Sequence, residues 1–420
     1  MQAIMRKLPL ILSTLILMTA LNSGAVTLDI GNDLLFEFLQ EEREGRTVST
    51  EIRQRARFYL KGYLQDGIQI GTRIHSAGLL NSTDTHITYE GALIGNQVPY
   101  FESAYIRVKD VHGLPVSLSA GLQPIKWAEG VLINDNLLGL PSISAMGTEP
   151  YTGISGEAYH VWARDELRGI SDITGYGARI FRQLGPGVLE LNYTSEDYVS
   201  PAPAPLLDDS RVTRDIFGGN YSRELESGIE YSFFGYLMRG RKAGEEFDGS
   251  AIGAYGRFEG VVEPIGRGGT WIRYILGTGD PEDDERGFMP VLSSVESRVI
   301  GDYYGRNREF MMVDGVRGDE VQTEAAAPTL SNKIANLSML RYAIYATVLD
   351  DITVHMIRST YKQHDPSVPV GGSLTFGAEY DYSLLNVALN YTVFAPEPAY
   401  DRYEGTRRTR FLTMALSARF

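Results

Sequence analysis

The sequence ends with Phe411-Leu412-Thr413-Met414-Ala415-Leu416-Ser417-Ala418-Arg419-Phe420. The even positions Leu412, Met414, Leu416, Ala418 and Phe420 are apolar, and the odd positions Thr413, Ser417 and Arg419 are polar. This alternation predicts a strand with one apolar and one polar face, because successive side chains of a strand point to opposite sides. In a transmembrane barrel, such a strand faces lipid on one side and the lumen on the other. The alternative is an ordinary amphipathic strand that happens to end in Phe.

The same alternation recurs in segments 68–75, 189–194, 374–382 and 385–393. In the last of these, Leu385, Val387 and Leu389 alternate with Asn386 and Asn390. Each segment reads as part of a strand of roughly ten residues, which is the length that a tilted membrane strand needs. The predicted fold is therefore all-β, a transmembrane antiparallel β-barrel.

Short polar connections predict seven turns, at 65–67, 111–115, 184–187, 224–228, 263–269, 349–351 and 383–384. Longer polar connections predict eight loops, at 41–46, 78–97, 128–173, 199–210, 240–248, 280–331, 364–372 and 396–405. Together they would join sixteen strands, with short periplasmic turns, long extracellular loops and both chain ends on the periplasmic side. The count becomes eighteen if Ser155–Glu166 or Ser297–Val313 forms a further hairpin. Either number leaves a water-filled lumen.

The N-terminus predicts export from the cytoplasm. Arg6 and Lys7 precede the apolar run Leu8–Leu21, and the small residues Ser23-Gly24-Ala25 follow it. This order is typical of a secretory signal peptide cleaved after Ala25, and the run is shorter than a membrane-spanning helix. Residues 1–25 are thus predicted to be a signal peptide, and residues 26–420 a single barrel domain in the cell outer membrane.

Composition and charge restrict the partners. The chain has no Cys, so it offers neither disulfides nor thiolate metal sites. Its net charge of −14 disfavours nucleic-acid binding. The acidic run Asp280–Arg286 has ligands that suit a divalent cation, but a solvated charge run is the simpler interpretation, and no metal or cofactor is predicted. The expected partners are outer-membrane lipid, lipopolysaccharide and the barrel-assembly machinery, whose recognition signal Phe420 resembles.

The strand predicted over residues 48–61 carries its charges on one face. Arg53, Arg55 and Arg57 recur at a spacing of two, opposite a face that includes Ile52 and Phe58. A charge facing the bilayer midplane costs roughly 2–4 kcal/mol, so these arginines should line the lumen. The same argument predicts that further basic residues line the pore: Lys61, Arg73, Arg107, Lys109, Arg179, Arg257, Arg273, Arg341 and Arg419. It also predicts inward acids: Glu37, Glu190, Glu230, Glu259, Glu379 and Asp381.

Rings of Arg and Lys in a water-filled pore raise the local concentration of anions. Arginine suits carboxylates in particular, because its planar guanidinium can bind them through two parallel hydrogen bonds. The pattern therefore favours a channel for an anionic sugar or a small acid. The alternative is that the arginines pair with the inward acids and only brace the wall.

The segment Leu118–Asp135 resembles a strand and loop of the alginate export porins. The matching residues are Gly121, Gln123, Gly130, Leu132 and Asp135, whereas Leu122 stands where that family has an arginine. Further similar pieces follow in the same order: Arg55-Ala56-Arg57, Leu276–Met289, Asn336–Asp365 and Gly377–Asp381. The resemblance spans most of residues 26–420. It implies an outer-membrane barrel that passes an alginate-like polysaccharide or a small acid, with Arg53, Arg55, Arg57 and Gln123 in the pore and Asp135 in a loop.

Two other classes of function compete with a selective channel. An enzyme needs a nucleophile, a base and an orienting group within reach. The six histidines lie in no Gly-x-Ser-x-Gly or His-Glu-x-x-His motif, so no catalytic residue is predicted. A surface receptor or adhesin would bind through its loops and keep its pore closed. A general porin would conduct ions without preferring anions.

Overall fold

The computed structural model describes residues 26–43, 46–64, 67–82, 86–89, 92–127, 132–164, 172–199, 211–242, 244–262, 266–279, 337–349, 351–364, 367, 369–397 and 408–420. The predicted signal peptide, the acidic run 280–286 and the alternative hairpin 297–313 lie outside these residues. Within them, no helix has the length and apolar character needed to cross a bilayer.

The described chain is built from strands. Their bounds are β1 Val26–Arg43, β2 Arg46–Leu64, β3 Ile68–Leu79, β4 His86–Tyr89, β5 Ala92–Gly95, β6 Tyr100–Val108, β7 Val116–Trp127, β8 Ile133–Thr148, β9 Ile154–Arg164, β10 Asp172–Leu184, β11 Gly187–Val199, β12 Arg211–Glu224, β13 Ile229–Lys242, β14 Glu245–Val262, β15 Gly266–Gly277, β16 Leu337–Val348, β17 Ile352–Gln363, β18 Pro369–Tyr382, β19 Leu385–Pro396 and β20 Thr409–Arg419. A short 3-10 turn, Val111–Gly113, lies between β6 and β7.

Eighteen of the described strands form one closed antiparallel barrel, and β4 and β5 form a separate hairpin. Strands that follow one another in the chain pair, with β3 next to β6, and β20 pairs back with β1. Reciprocal backbone hydrogen bonds of 3.0 Å between Asn32 and Phe420 extend that last pairing. Closure gives each of the eighteen described barrel strands a neighbour on both sides.

The observed eighteen strands correct the predicted sixteen and match the stated alternative. The predicted loop 128–173 was wrong, because it contains β8 and β9, joined by a tight turn at Glu149–Gly153. Gly156, Ala158 and His160 occupy the outward positions of β9, so the apolar alternation that marks a membrane strand is weak there. Asp135 was predicted in that loop and instead lies in β8, where it pairs with Ile125. The predicted turns at 111–115, 184–187, 224–228 and 383–384 join consecutive strands, whereas those at 65–67, 263–269 and 349–351 include residues outside the described ranges.

The turn between β8 and β9 is organised by one carboxylate. Glu149 accepts hydrogen bonds from the backbone N–H groups of Tyr151 (3.0 Å) and Thr152 (2.5 Å) and from the Thr152 hydroxyl (2.5 Å). Acidic side chains start turns by such bonds to the nearby backbone. The Thr152 hydroxyl, followed by the two backbone donors, lowers the pKa of the exposed Glu149 carboxyl.

The outward face of the barrel is an exposed apolar belt. On β20, Leu412, Met414 and Leu416 point outward and are 37–51% exposed, whereas Phe411 and Thr413 point inward and are buried. The belt continues around β11 to β16 with one large side chain per strand, each 43–56% exposed: Leu191, Phe217, Leu237, Ile252, Ile272 and Ile344. A continuous exposed apolar surface of this kind is typical of the lipid-facing side of a membrane barrel.

Strand β7 passes unusually close to β6 at Gly121. This residue has a φ of +128°, and an added Cβ atom would lie 2.3 Å from the Ala104 carbonyl oxygen and 2.8 Å from the Tyr105 Cα. Both neighbouring atoms belong to the backbone, so they cannot rotate away. Only glycine fits this position without moving a strand.

The Gly121→Ala variant should therefore unfold more easily, by about 1–3 kcal/mol, because β6 and β7 must separate to admit the methyl group. The measurement is urea unfolding of the refolded barrel, followed by heat-modifiable electrophoretic mobility. The matched control is Gly235→Ala on β13, where an added Cβ meets nothing within 4 Å. Equal unfolding midpoints for the two variants would contradict the close approach.

The Glu149 turn should be sensitive to acid. Because the folded pKa of this carboxyl lies below its unfolded value, its stabilising effect is present above the unfolded pKa and is lost as pH falls through the folded pKa. Amide hydrogen exchange at Tyr151 and Thr152 should accelerate over that acidic range, beyond the intrinsic dependence of exchange on pH. In Glu149→Gln, which cannot ionise, the excess acceleration should disappear, and its persistence would show that another group controls the turn.

Candidate functional site: the inner wall of the barrel

The inward side chains of the closed sheet form the candidate site, here called the inner wall. Arg53, Arg55 and Arg57 of β2 belong to it, with side chains only 14–19% exposed. Their outward neighbours Ile52 and Phe58 are 38% and 42% exposed. Residues that pair in register point to the same side of a sheet, so the register carries this assignment from β2 around the barrel.

Burial of the inner wall changes along the barrel axis. On β16, Thr347 near the short-turn end is partly exposed, whereas Arg341 and Met339 toward the loop end are 1% exposed. Full burial recurs at other inward positions of the loop-side half: Trp127, Leu140, Val212, Ile216, Tyr236, Met238, Ile275, Tyr361 and Phe394. In a barrel this wide, an inward side chain is buried completely only when other groups pack against it inside the lumen. The loop-side half is thus the more closely packed and is here called the filled half. The short-turn half, which has partly exposed residues such as Thr347 but also buried ones such as Gln69 and His355, is here called the vestibule.

Two of the three inward arginines of β2, Arg53 and Arg55, form ion pairs with nearby acids. Arg53 contacts Glu51 of the same strand at 2.5 Å. Arg55 contacts Asp33 of β1 at 3.1 Å, and Arg419 at the open end of β20 lies 3.9 Å from the same Asp33 carboxylate. The inward direction expected for these arginines is the observed one, and their charge is partly balanced on the wall itself.

The third inward arginine of β2, Arg57, belongs to a cluster around Glu102. Arg57 lies 3.0 Å from one oxygen of Glu102, and Arg73 of β3 donates a hydrogen bond of 2.9 Å to the other. His75 Nδ1 lies 3.5 Å from Glu102 and 2.9 Å from the Tyr100 hydroxyl. The register between β3 and β6 shifts at this point, which produces a β-bulge. Bulges re-aim side chains, and this one brings the Glu102 carboxylate onto the inner wall.

Three further predicted residues follow these strands toward the short turns. Lys61 lies 5.7 Å from the ring centre of Tyr59 on the inner wall. Arg107 donates a hydrogen bond of 2.9 Å to the Ser119 hydroxyl. Lys109 was predicted on the wall, but it lies one residue beyond the end of β6 and is exposed at the turn. The alternation that suggested a wall position ends at the left-handed residue that follows, where the chain turns.

A second basic group lies across the barrel on β14 to β16. In the closed order, β15 is ten strands from β3 one way round and eight the other. Arg257 of β14 contacts Glu259 and lies 3.9 Å from Glu230. The Tyr345 hydroxyl accepts a hydrogen bond from Arg257 Nε at 3.2 Å and donates one to Glu259 at 2.7 Å.

Arg273 and Arg341 stand directly opposite each other on β15 and β16. Arg341 donates a hydrogen bond of 3.1 Å to the Ser359 hydroxyl and lies 5.7 Å from the Trp271 ring. Arg273 lies 5.7 Å from the Tyr255 ring. Directly opposed like charges on a sheet destabilise it, so the two guanidiniums concentrate positive charge in this row.

Arg179 of β10 lies on the part of the inner wall between the two basic groups. It contacts Glu157 at 2.5 Å and Glu190 at 3.6 Å, and its guanidinium lies 5.1 Å from the Trp127 ring. One guanidinium here faces two carboxylates, so this side of the inner wall is not basic.

Gln123, which the sequence placed in the pore, is buried on β7. Its amide group donates to the Ser142 carbonyl and hydroxyl at 3.1 and 3.2 Å, and its carbonyl accepts from the Ser144 hydroxyl at 3.2 Å. These bonds occupy the side chain in joining β7 to β8. Nothing in this geometry leaves Gln123 directed at a solute.

The loop-side half contains an ion pair that the sequence did not single out. Arg214 of β12 and Glu196 of β11 lie 2.5 Å apart, with side chains only 2% and 3% exposed. Period-two spacing would have found Glu196, since it follows Glu190, Asn192 and Thr194 on the inward face. Glu102 carried no such signal, because strict alternation from Tyr105 would place it outside.

No protein-family model matches the chain, and no curated protein matches its sequence. Solved structures do match. OccK11 (OpdR) of Pseudomonas aeruginosa aligns over 94% of this chain and 96% of its own, with 10% identity and a TM-score of 0.56. OccAB1 of Acinetobacter baumannii gives the same coverage and TM-score at 12% identity. OccK2 (OpdF) of P. aeruginosa, solved in complex with glucuronate, gives 13% identity and a TM-score of 0.55 over 94% and 96% of the two chains.

These relatives in structure are outer-membrane channels of the Occ family. At such low identity the likeness shows the fold, a closed antiparallel barrel of eighteen strands. The resemblance to alginate export porins gains no support from the comparisons.

Removing one partner of the buried pair should destabilise the barrel. In Glu196→Gln the Arg214 charge keeps its burial and loses its counter-charge, which costs about 3–5 kcal/mol. In the double variant Glu196→Gln, Arg214→Met the unpaired charge is gone, so most of the loss should be recovered. Urea unfolding of the three proteins measures the difference, and a double variant as unstable as Glu196→Gln would contradict a pairwise interaction.

Proposed function

We propose that this chain is an outer-membrane channel for small anionic solutes that carry a carboxylate. The observation that carries the proposal is the pair of basic groups that face each other across the barrel. One comprises Arg55, Arg57, Lys61 and Arg73 on β2 and β3, and the other Arg257, Arg273 and Arg341 on β14 to β16. A solute that crosses the lumen passes between them.

The membrane assignment rests on the outer surface. A closed barrel with an exposed apolar belt satisfies its backbone internally and needs lipid around its outside. The likeness to Occ channels supports the same location. Outer-membrane lipid and lipopolysaccharide would surround the belt, and the barrel-assembly machinery would recognise the Leu412–Phe420 strand.

Ion pairing on the wall does not remove these arginines from solute binding. A guanidinium has five N–H donors, so one carboxylate contact leaves donors for another. The side chains of Arg73 and Arg257 are 36% and 26% exposed, so the desolvation cost of exchanging a wall acid for a solute carboxylate is small. Arg341 is fully buried and can act only through its field.

A sugar acid suits this wall better than a simple anion does. The register row from β14 to β18 carries Tyr255, Arg273, Arg341, Ser359 and Ser373. Arg341, Ser359 and Ser373 are at most 1% exposed, so the partly exposed Tyr255 ring and Arg273 guanidinium are what this row offers to a sugar acid. The glucuronate complex of OccK2 supports this solute class for the fold.

The filled loop-side half favours a second reading, a receptor barrel with a closed pore. If the path through that half is narrow, single-channel conductance should be small but measurable. If it is shut, no conductance will appear. Single-channel conductance therefore distinguishes the channel from the receptor, and it is measured before ion selectivity.

The test is the reversal potential of the refolded protein in a planar bilayer under a potassium chloride gradient. Wild type should be anion-selective. Arg55→Gln and Arg273→Gln should each lower the ratio of anion to cation permeability about twofold, because each removes one charge from the path.

The matched control is Arg239→Gln on the outward face of β13, where Arg239 is exposed and registers with Asp215 and Asp248. It removes the same charge from the protein but not from the lumen, so selectivity should stay at the wild-type value. A cation-selective or unselective wild type would overturn the anion assignment. A folded barrel without conductance would favour the receptor.

A further inference from the structure

We infer that Glu102 sets the charge of the anion path by holding Arg57 and Arg73 at the wall. The inference rests on the proposed function and deepens it, since it assigns a positioning residue to the proposed anion selectivity. Glu102 does not itself line the open vestibule, because its side chain is completely buried.

The cluster spans the border between the filled half and the vestibule. The carboxylate of Glu102 and the ring of His75 are 0% exposed, whereas the side chains of Arg57 and Arg73 are 19% and 36% exposed. The two guanidiniums therefore extend from a buried anchor toward the open lumen. Their positions depend on the anchor, because both reach it at ion-pair distance, 3.0 and 2.9 Å.

The bulge in β6 makes this arrangement possible. The register shift follows the Arg73–Ser103 pair, so Phe101 pairs with the outward Ile74 and Glu102 is the extra residue. Without the shift, Glu102 would pair with Ile74 and point away from the lumen. The extra residue brings a single negative charge to the inner wall beside β3, within reach of Arg73 on β3 and of Arg57 on β2. One carboxylate thus serves two guanidiniums, which leaves a net positive charge at the border of the vestibule.

Two consequences follow. The negative charge of Glu102 lowers the potential that an anion meets at this border, and its contacts restrain where the two guanidiniums point. Removing the charge while keeping the shape should raise anion preference, but it should also loosen the arginines and weaken a site that depends on their geometry. If Glu102 only stabilised the fold, its removal would change neither the anion preference nor the binding of the solute.

The experiment compares wild type with Glu102→Gln in the same bilayer assay. The ratio of anion to cation permeability should rise about twofold, the effect of a unit charge roughly 8 Å from the path in water. The concentration of glucuronate that half-blocks chloride current should rise as well, because the guanidiniums lose their anchor. Glu102→Asp, which keeps the charge, should retain wild-type selectivity.

Asp215→Asn is the matched control, since it removes one carboxylate from the exposed outer face of β12. It should leave both readouts unchanged. If Glu102→Gln does not fold, Arg73→Gln decides, because it alters the partly exposed member of the cluster. That variant should lower the permeability ratio about twofold.

A conducting, anion-selective wild type whose selectivity is unchanged in Glu102→Gln, or in Arg73→Gln, would overturn this inference and leave the proposed function standing. A wild-type barrel without anion selectivity would overturn both. The two failures are therefore distinct.

Discussion

The pairing of β20 with β1 is the interaction on which the rest of the structure depends. Each strand of a sheet needs a neighbour on both sides, and in lipid an unpaired backbone group costs several kcal/mol. The register from Asp33–Arg419 to Arg43–Thr409, with the Asn32–Phe420 bonds, removes the last two edges. Once the sheet is closed, alternation assigns every side chain to the apolar outside or to the inner wall. Arg55, Arg57, Arg73, Arg257, Arg273 and Arg341 are assigned in this way to the inner wall.

What those inner charges do depends on how deeply they are buried. Arg214 and Glu196 are almost free of solvent, so separating them costs several kcal/mol and the pair acts as a structural element. Arg73 and Arg257 are a quarter or more exposed, and ion pairs of that kind contribute about 0–1 kcal/mol. A solute carboxylate can compete with a partner held so weakly. The same residue type therefore braces the barrel in the loop-side half and remains available to a solute in the vestibule.

The sequence predicted what depends on local periodicity. The alternation of β2, β18, β19 and β20 and the turns at 111–115, 184–187, 224–228 and 383–384 were predicted correctly, because each is encoded within about ten residues. The β8–β9 hairpin was predicted only as an alternative, through Ser155–Glu166, since small and polar outward residues weaken its alternation and its turn depends on the Glu149 side chain. The inward direction of Arg55 and Arg57 followed from the cost of charge in lipid. Their partners did not, because the Glu102 contact needs a bulge and a third strand, neither of which leaves a periodic signal. The wall position predicted for Lys109 was wrong for a local reason, since β6 ends at Val108, just before it.

The central claim is that carboxylate-bearing solutes pass between the two basic groups of the inner wall. The most direct measurement is the uptake of glucuronate and of neutral glucose, similar in size, into liposomes that contain the refolded barrel. The account predicts faster entry of glucuronate at low salt, with the advantage shrinking as salt screens the arginines. Equal rates would show an open pore whose arginines only brace the wall. Entry of neither sugar into liposomes with folded barrel would contradict the channel itself.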